Sequence, residues 1–240
     1  MRFVAVKTVD QQSVLSLHRV RQSAVAARTE QANLIRGLLL EYGLVIPQGI
    51  RAVFVEVPNI LEDAENALDA RMRCLLQDLA EHLKALDARV ERLDGMIADS
   101  NRQDARVAQL EAVPGIGPLT ASALVATVGN VENFDEGRSL AAYVGLVPRQ
   151  HSTGGKTTLL GISKRGDRYL RTLLIHGARS VIRAAENRQD ALGAWIRQLL
   201  SRRSKNVVAV ALANKNARIV WALLKHQRKF DSAYPAHAAA

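Results

Sequence analysis

The feature that most constrains this chain is a heptad pattern in its first half. From Met72 to Ile97, apolar residues recur at alternating spacings of four and three positions. Such a stripe occupies one side of an α-helix and must be buried, since each buried Leu contributes roughly 1.5–3 kcal/mol. The stripe comprises Met72, Leu76, Leu79, Leu83, Leu86, Val90, Leu93 and Ile97.

This stripe requires a partner helix. Residues 9–41 are predicted to form one long helix that ends before Gly43 and Pro47. Either this helix folds back against the stripe, or a second copy of the chain supplies the matching seam, which would make the protein a homo-oligomer through a coiled coil. The apolar seam predicted for the long helix comprises Val14, Leu17, Val20, Leu34 and Leu38, with Glu41 beside it.

The composition favours a mainly α protein, in which long coiled-coil helices precede a compact helical domain with a helix-hairpin-helix-like turn. Aromatic residues make up only 4% of the chain, and the long apolar patterns have helical periods. The predicted segments are 1–58 with the first long helix, 59–107 with the coiled-coil helix, 108–231 with the compact domain, and a disordered tail at 232–240. The alternating stretch 51–57 is expected to precede a helix that opens at Pro58-Asn59.

Cysteine usage and hydropathy indicate the compartment. Cys74 is the single cysteine, which excludes an intrachain disulfide and favours a reducing environment. The start of the chain lacks an apolar signal core, and no uncharged run approaches the length of a membrane span. We therefore expect a cytoplasmic protein with no membrane partner.

The charge is divided unevenly between the two halves of the chain. Residues 1–137 hold 14 Lys and Arg against 19 Asp and Glu, whereas residues 138–240 hold 19 against 4. A basic half of this kind is typical of proteins that bind a nucleic-acid backbone, because neutralising phosphates releases counterions. The alternative is a solvated basic surface that maintains solubility.

A glycine-rich turn near residue 115 is a candidate phosphate contact. Gly115-Ile116-Gly117 lies between two predicted helices, where glycines allow backbone N–H groups to approach a phosphate at the start of the second helix. A tight turn between two packed helices that contacts no ligand favours the same residues.

The most basic stretch, 148–171, surrounds a Ser152-Thr153-Gly154-Gly155 turn. A hydroxyl group among cations could attack a phosphodiester, because the cations offset the charge of the pentavalent transition state. The alternative is a loop whose hydroxyls only hydrogen-bond phosphates. His151 is a candidate proton carrier or a surface residue beside nucleic acid. The predicted nucleic-acid contacts here are Arg149, Gly154, Lys156, Lys164, Arg165, Arg168 and Arg171.

Strings across nearly the whole chain, above all Gly145–Arg171, closely resemble the insertion-sequence 110 transposase family and its 116, 902 and 1111 relatives. The resemblance implies a DNA recombinase that works with a structured guide RNA. It also implies a resolvase-like domain with four acidic residues and Mg²⁺, then a coiled coil, then a helical domain whose serine becomes joined to DNA. Ser152 is the first choice for that serine. Thr153 is the alternative, because it directly precedes the glycine as the family's serine usually does.

The start of the chain resembles the late part of the resolvase-like domain, so residues 1–58 are interpreted as its remnant followed by the first long helix. We therefore expect no metal site in this chain, with Mg²⁺ belonging to the missing part. The chain is interpreted as a truncated transposase that binds DNA and guide RNA but does not recombine alone. The alternative is a non-catalytic nucleic-acid-binding regulator that pairs with full-length transposase through the coiled coil.

Overall fold

The computed structural model describes residues 6–231, which form nine α-helices and one β-hairpin. The prediction of a mainly α protein is confirmed. The predicted tail at 232–240 lies outside the described residues. The elements are α1 Val9–Glu41, α2 Ile50–Glu62, α3 Ala70–Asn101, α4 Ala105–Glu111, α5 Pro118–Val128, α6 Gly137–Tyr143, β1 Pro148–Thr153, β2 Lys156–Ile162, α7 Arg168–Arg183, α8 Ala191–Leu200 and α9 Lys205–His226.

The chain divides into two compact units. One unit, Ser16–Ile97, contains most of α1, all of α2 and most of α3; we call it the helical hairpin unit. The other unit comprises the described residues 6–15 and 98–231; we call it the basic unit. Each boundary between the units falls inside a long helix.

In the helical hairpin unit, α1 folds back against the stripe on α3. Leu76 and Leu83 are buried in one cluster with Ile35 of α1, and Val90 and Leu93 are buried in another with Ala24. Side-chain bonds confirm the antiparallel direction, since Arg21 pairs with Asp94, Arg28 with Asp87, and Gln31 Nε2 donates to the Leu79 carbonyl at 2.9 Å. The apolar stripe of α3 therefore packs against a helix of the same chain.

The seam predicted for α1 is wrong in part. Val20 and Leu34 are 41% and 47% exposed, so they do not face α3. The buried side chains of α1 within this unit are instead His18, Ala24, Ala32, Ile35 and Leu39. Small alanine side chains leave room for the long side chains of α3, so a pattern of large apolar residues did not mark the buried face.

The stretch 51–57 is helical and does not form an extended segment. Val53 and Val57 are both buried and lie one helical turn apart, while Val55 between them is exposed. The helix starts at Ile50 and continues through Pro58, so the helix start predicted at Pro58-Asn59 is wrong. A proline in a helix removes one backbone hydrogen bond.

The core of the basic unit is built around α5, α7 and α9. Every residue of α5 from Thr120 to Val128 is buried, and the helix is capped by Gly129, whose φ of 60° places it in the left-handed region. The helices that were predicted on either side of the Gly115 turn are present as α4 and α5. The helix α8 was not predicted.

Among the described residues, α9 alone is long and apolar enough to cross a membrane by length and composition. Its buried apolar side chains belong to the same core cluster as those of α5, α6 and α7. The apolar character of α9 is therefore accounted for by its position in the core of the basic unit.

Candidate nucleic-acid interface

The Ser152-Thr153-Gly154-Gly155 sequence forms the tip of a β-hairpin. The strands β1 and β2 pair in an antiparallel direction, and Thr153 pairs with Lys156 directly beside the turn. Gly154 and Gly155 have φ values of 56° and 75°, which is the left-handed region that two-residue hairpin turns require. All residues from Pro148 to Gly161 are exposed, so the two hydroxyls are open to solvent.

The register of the hairpin places the two hydroxyls on opposite faces. Ser152 pairs with Thr157 and Gln150 with Leu159, and paired residues share one face of a sheet. The amide Nε2 of Gln150 donates to Ser152 Oγ at 2.8 Å, as expected for neighbours on one face.

Thr153 faces the other way. It shares its face with its partner Lys156 and with His151, which pairs with Thr158. The cation and the imidazole of the hairpin tip therefore lie on the Thr153 face, while the Ser152 face carries uncharged side chains in β1 and β2.

The base of the hairpin is attached to the segment that follows α6. Ser163 N donates to the Val147 carbonyl at 2.8 Å, and Lys164 N donates to the Gly145 carbonyl at 3.2 Å. Gly166 lies so close to this segment that a Cβ there would overlap the Tyr143 carbonyl. These contacts fix the direction in which the hairpin leaves the core.

The start of α7 follows immediately at Arg168. Asp167 is its N-cap, and the carboxylate Oδ1 accepts a hydrogen bond from Leu170 N at 2.9 Å. Burial, and secondly the negative charge of Asp167, raise the pKa of Tyr143. The Tyr143 hydroxyl therefore stays protonated at the base of the hairpin near neutral pH.

Five of the six predicted cations are exposed, and none of the five forms an ion pair with a carboxylate within residues 6–231. They are Arg149, Lys156, Lys164, Arg165 and Arg168. Arg171 differs, because it is half-buried and its Nη1 donates to the Val144 carbonyl at 2.9 Å. That bond gives Arg171 a structural role behind the hairpin.

The glycine turn near residue 115 is closely packed on one side. Gly115 has a φ of 89°, and a Cβ there would lie 3.0 Å from the Gly177 carbonyl of α7. Asn216 of α9 holds the same turn through a 2.9 Å bond to the Pro114 carbonyl. Packing therefore explains the glycine at 115, whereas Gly117 is exposed and nothing lies within 4 Å of the position a Cβ would occupy.

Within residues 6–231, no group of three or more His, Cys, Asp or Glu side chains could hold a metal ion. The acidic residues described here therefore do not fit the Mg²⁺ that the resemblance implies. Cys74 is exposed and unpaired.

A second set of exposed cations was missed by the sequence analysis. These residues lie in the second half of α7 and around the start of α9, and they are Arg179, Arg183, Arg202, Arg203 and Lys205. The excess of basic residues after position 137 indicated such a surface, but the spacing of these five residues along the chain does not show that they are neighbours.

Comparison with known proteins gives one family. Residues 107–193 match the family described as Transposase IS116/IS110/IS902. The chain is 53% identical over 228 residues to a probable family 20 transposase of Pseudomonas aeruginosa, an alignment covering 95% of this chain and 68% of the relative.

Two further relatives carry transposase names. The transposase for insertion sequence element IS1111A of Coxiella burnetii is 45% identical over 96% of this chain and 63% of its own length. The transposase for IS1328 of Yersinia enterocolitica is 41% identical over 92% of this chain and 65% of its own length. The chain thus spans about two thirds of the length of these relatives.

Proposed function

Because the chain belongs to the IS116/IS110/IS902 family of transposases, we propose that it supplies the DNA-joining part of an insertion-sequence transposase. The hairpin tip is the proposed site of strand attachment. The observation that carries this proposal is the exposed pair of hydroxyls at the tip, with unpaired cations on the hairpin and at its base.

The proposed step is a phosphoryl transfer from a deoxyribose oxygen to a hairpin hydroxyl. The hydroxyl oxygen forms a bond to phosphorus, the bond from phosphorus to one deoxyribose oxygen breaks, and the proton of the hydroxyl ends on that leaving oxygen. The nearby cations Lys156 and Arg149 would stabilise the negative charge that accumulates on the phosphoryl oxygens. No part of this step is assigned to a metal ion.

The choice between the two hydroxyls becomes a choice between the two faces of the hairpin. Ser152 has the less hindered primary hydroxyl and already accepts a hydrogen bond from Gln150. Thr153 has the more favourable electrostatic surroundings, since His151 and Lys156 share its face. A single DNA strand laid on one face would meet one of these hydroxyls and not the other.

Single substitutions test this step in a chimera in which the chain replaces the aligned part of the full-length Pseudomonas aeruginosa relative. Denaturing gels of labelled donor DNA would show whether protein stays joined to the strand. If Ser152 is the nucleophile, Ser152→Ala abolishes the adduct and Thr153→Val preserves it; if Thr153 is, the two results are exchanged. Persistence of the adduct in the double variant would contradict the proposal.

We also place a structured guide RNA among the partners and the bacterial cytosol or nucleoid as the location. The exposed cations on the hairpin suit any phosphate backbone. Purification of the chain from cells should retain RNA that ribonuclease removes, and the hairpin variant Lys156→Gln should retain less. If the variant retains as much RNA as the parent chain, the hairpin does not bind the RNA.

The alternative role as a regulator required a free seam at 72–97 for pairing with full-length transposase. That seam is buried against α1 of the same chain. A regulator would therefore have to pair through another surface, and we retain the transposase role.

A further inference from the structure

A group of cations lies at the opposite end of α7 from the hairpin. The segment 168–205 contains nine Lys and Arg residues against two acidic residues. Three of the nine cations are bound to backbone carbonyls or to a carboxylate: Arg171 and Arg197 donate to backbone carbonyls, and Arg188 pairs with Asp190. Apart from Arg168 beside the hairpin, five cations remain, and we call them the terminal patch: Arg179, Arg183, Arg202, Arg203 and Lys205.

The fold brings these five residues together from three elements. Arg179 Nη2 donates to Asn206 Oδ1 at 3.1 Å, which joins the second half of α7 to the first turn of α9. Arg183 lies one helical turn after Arg179 and so projects from the same side of α7.

The connection between α8 and α9 supplies the other members. Arg202 N and Arg203 N donate to the Leu199 carbonyl at 3.2 and 2.9 Å, which closes the end of α8. Lys205 is the first residue of α9, whose N-cap Ser204 makes no side-chain capping bond. The backbone N–H groups at the start of α9 therefore add positive partial charge beside the three cationic side chains.

The charges of the terminal patch are not neutralised by the rest of the described chain. All five side chains belong to exposed residues, and no carboxylate within residues 6–231 forms an ion pair with any of them. Glu186 is the nearest acidic residue along the sequence and is exposed as well. A surface with this much uncompensated charge suits a partner with regularly spaced anions.

We infer that the terminal patch is a second contact for duplex DNA, which binds backbone phosphates without reading sequence. Guanidinium groups bind phosphate oxygens in a bidentate manner, which suits the four arginines of the patch. The residues 179–183 and 201–207 include no aromatic side chain, so the patch lacks the stacking surface that single strands require. The inference rests on the proposed function, since it assumes that the chain acts on DNA.

Matched variants of the full chain test this inference. The patch variant is Arg183→Gln, Arg202→Gln, Arg203→Gln and Lys205→Gln; Arg179 is kept because it bonds Asn206. The control variant is Arg71→Gln, Lys84→Gln, Arg89→Gln and Arg92→Gln, four exposed residues of α3 that have no ion pair within the described chain. Each variant loses three arginines and one lysine, so the net charges are equal.

The measurement is the affinity for a random-sequence DNA duplex of about 30 base pairs over a series of salt concentrations. We expect the patch variant to lose about tenfold or more in affinity. The log–log salt dependence should become shallower by up to about 3.6, since each of the four lost phosphate contacts removes about 0.9 from the slope. The control variant should bind within about twofold of the parent chain.

Each other outcome counts against the inference. If the patch variant binds DNA like the control variant, the inference about the terminal patch is wrong. The proposed function is tested separately by a hairpin variant with Arg149→Gln and Lys156→Gln, and a loss of DNA binding in that variant would still support it. A loss seen only with an RNA duplex of equal length would contradict the assignment to DNA. A parent chain that binds no duplex would overturn both proposals. The charge reversal Arg202→Glu with Arg203→Glu provides a second variant, and thermal melting of every variant excludes unfolding as a cause.

Discussion

At the scale of single residues, His18 shows what burial does to a titratable group in the helical hairpin unit. His18 is only 1% exposed. Burial is the main cause that lowers its pKa from 6.5 to about 4, the positive charge of Arg21 lowers it further, and the negative charge of Asp94 opposes the shift. The imidazole is therefore neutral in the folded protein at neutral pH.

This neutral imidazole predicts a loss of stability in acid. As the pH falls from about 6.5 towards 4, the unfolded chain binds a proton at His18 that the folded chain does not. The free energy of unfolding should then fall by up to about 3 kcal/mol, whereas His18 adds no pH dependence above 6.5.

Urea unfolding followed by circular dichroism between pH 7.5 and 4.5 measures this effect. His18→Gln should have a shallower pH dependence than the parent chain, because glutamine does not bind a proton in this range. Parallel curves for the parent chain and His18→Gln would contradict the role of His18.

The candidate nucleophiles show which features of the site can be predicted from the sequence and which cannot. The hydroxyls of Ser152 and Thr153 and most of the surrounding cations could be identified from their positions in the chain. Their separation onto opposite faces could not, because it depends on the register of a hairpin whose exposed strands have no apolar alternation. The bond from Arg171 to the Val144 carbonyl likewise depends on how α7 packs.

At the scale of elements, α7 packs closely against the Gly115 turn, which the sequence predicted to contact a phosphate. A Cβ on Gly177 would overlap the Gly115 carbonyl. Gly177→Ala should therefore destabilise the basic unit by about 1–3 kcal/mol, the usual cost of overpacking.

A matched control is Gly95→Ala, also inside a helix but with nothing within 4 Å of the added Cβ. This substitution should be neutral or raise stability by up to about 1 kcal/mol through helix propensity. Denaturant unfolding of both variants measures the difference. Equal stabilities of the two variants would mean that α7 and the turn can separate without cost.

Sequence patterns predicted the elements with one clear period and missed those without one. The stripe from Met72 to Ile97 has a strict heptad spacing, and α3 lies where the pattern places it. The hairpin was expected only as a turn, because none of the residues from Pro148 to Gly161 is buried and neither strand therefore carries an apolar face. In α2, Val at 53, 55 and 57 suggested alternation, although only the pair four residues apart is buried.

At the scale of the whole molecule, burial of the stripe within one chain predicts how its stability depends on concentration. Leu83 is 1% exposed, and Leu83→Ala should cost about 3–5 kcal/mol because it removes buried methyl groups and leaves a cavity. The resulting decrease in melting temperature should be the same at all protein concentrations, since the stripe packs against α1 of the same chain.

The control for this prediction is Leu75→Ala on the same helix, where the side chain is 45% exposed and the loss should be small. Melting curves across a hundredfold range of concentration provide the measurement. A decrease that shrinks as the concentration rises would show that the seam lies between two chains.

The position of α7 has a consequence for the length of DNA that one copy can cover. The hairpin leaves the start of this helix and the terminal patch gathers at its end. Its 16 residues span about 24 Å, close to the rise of seven base pairs. If one duplex contacts both the hairpin and the terminal patch, the length of α7 sets the distance between the two contacts on the DNA. Cleavage of the bound duplex by hydroxyl radicals should then show two protected places about seven base pairs apart.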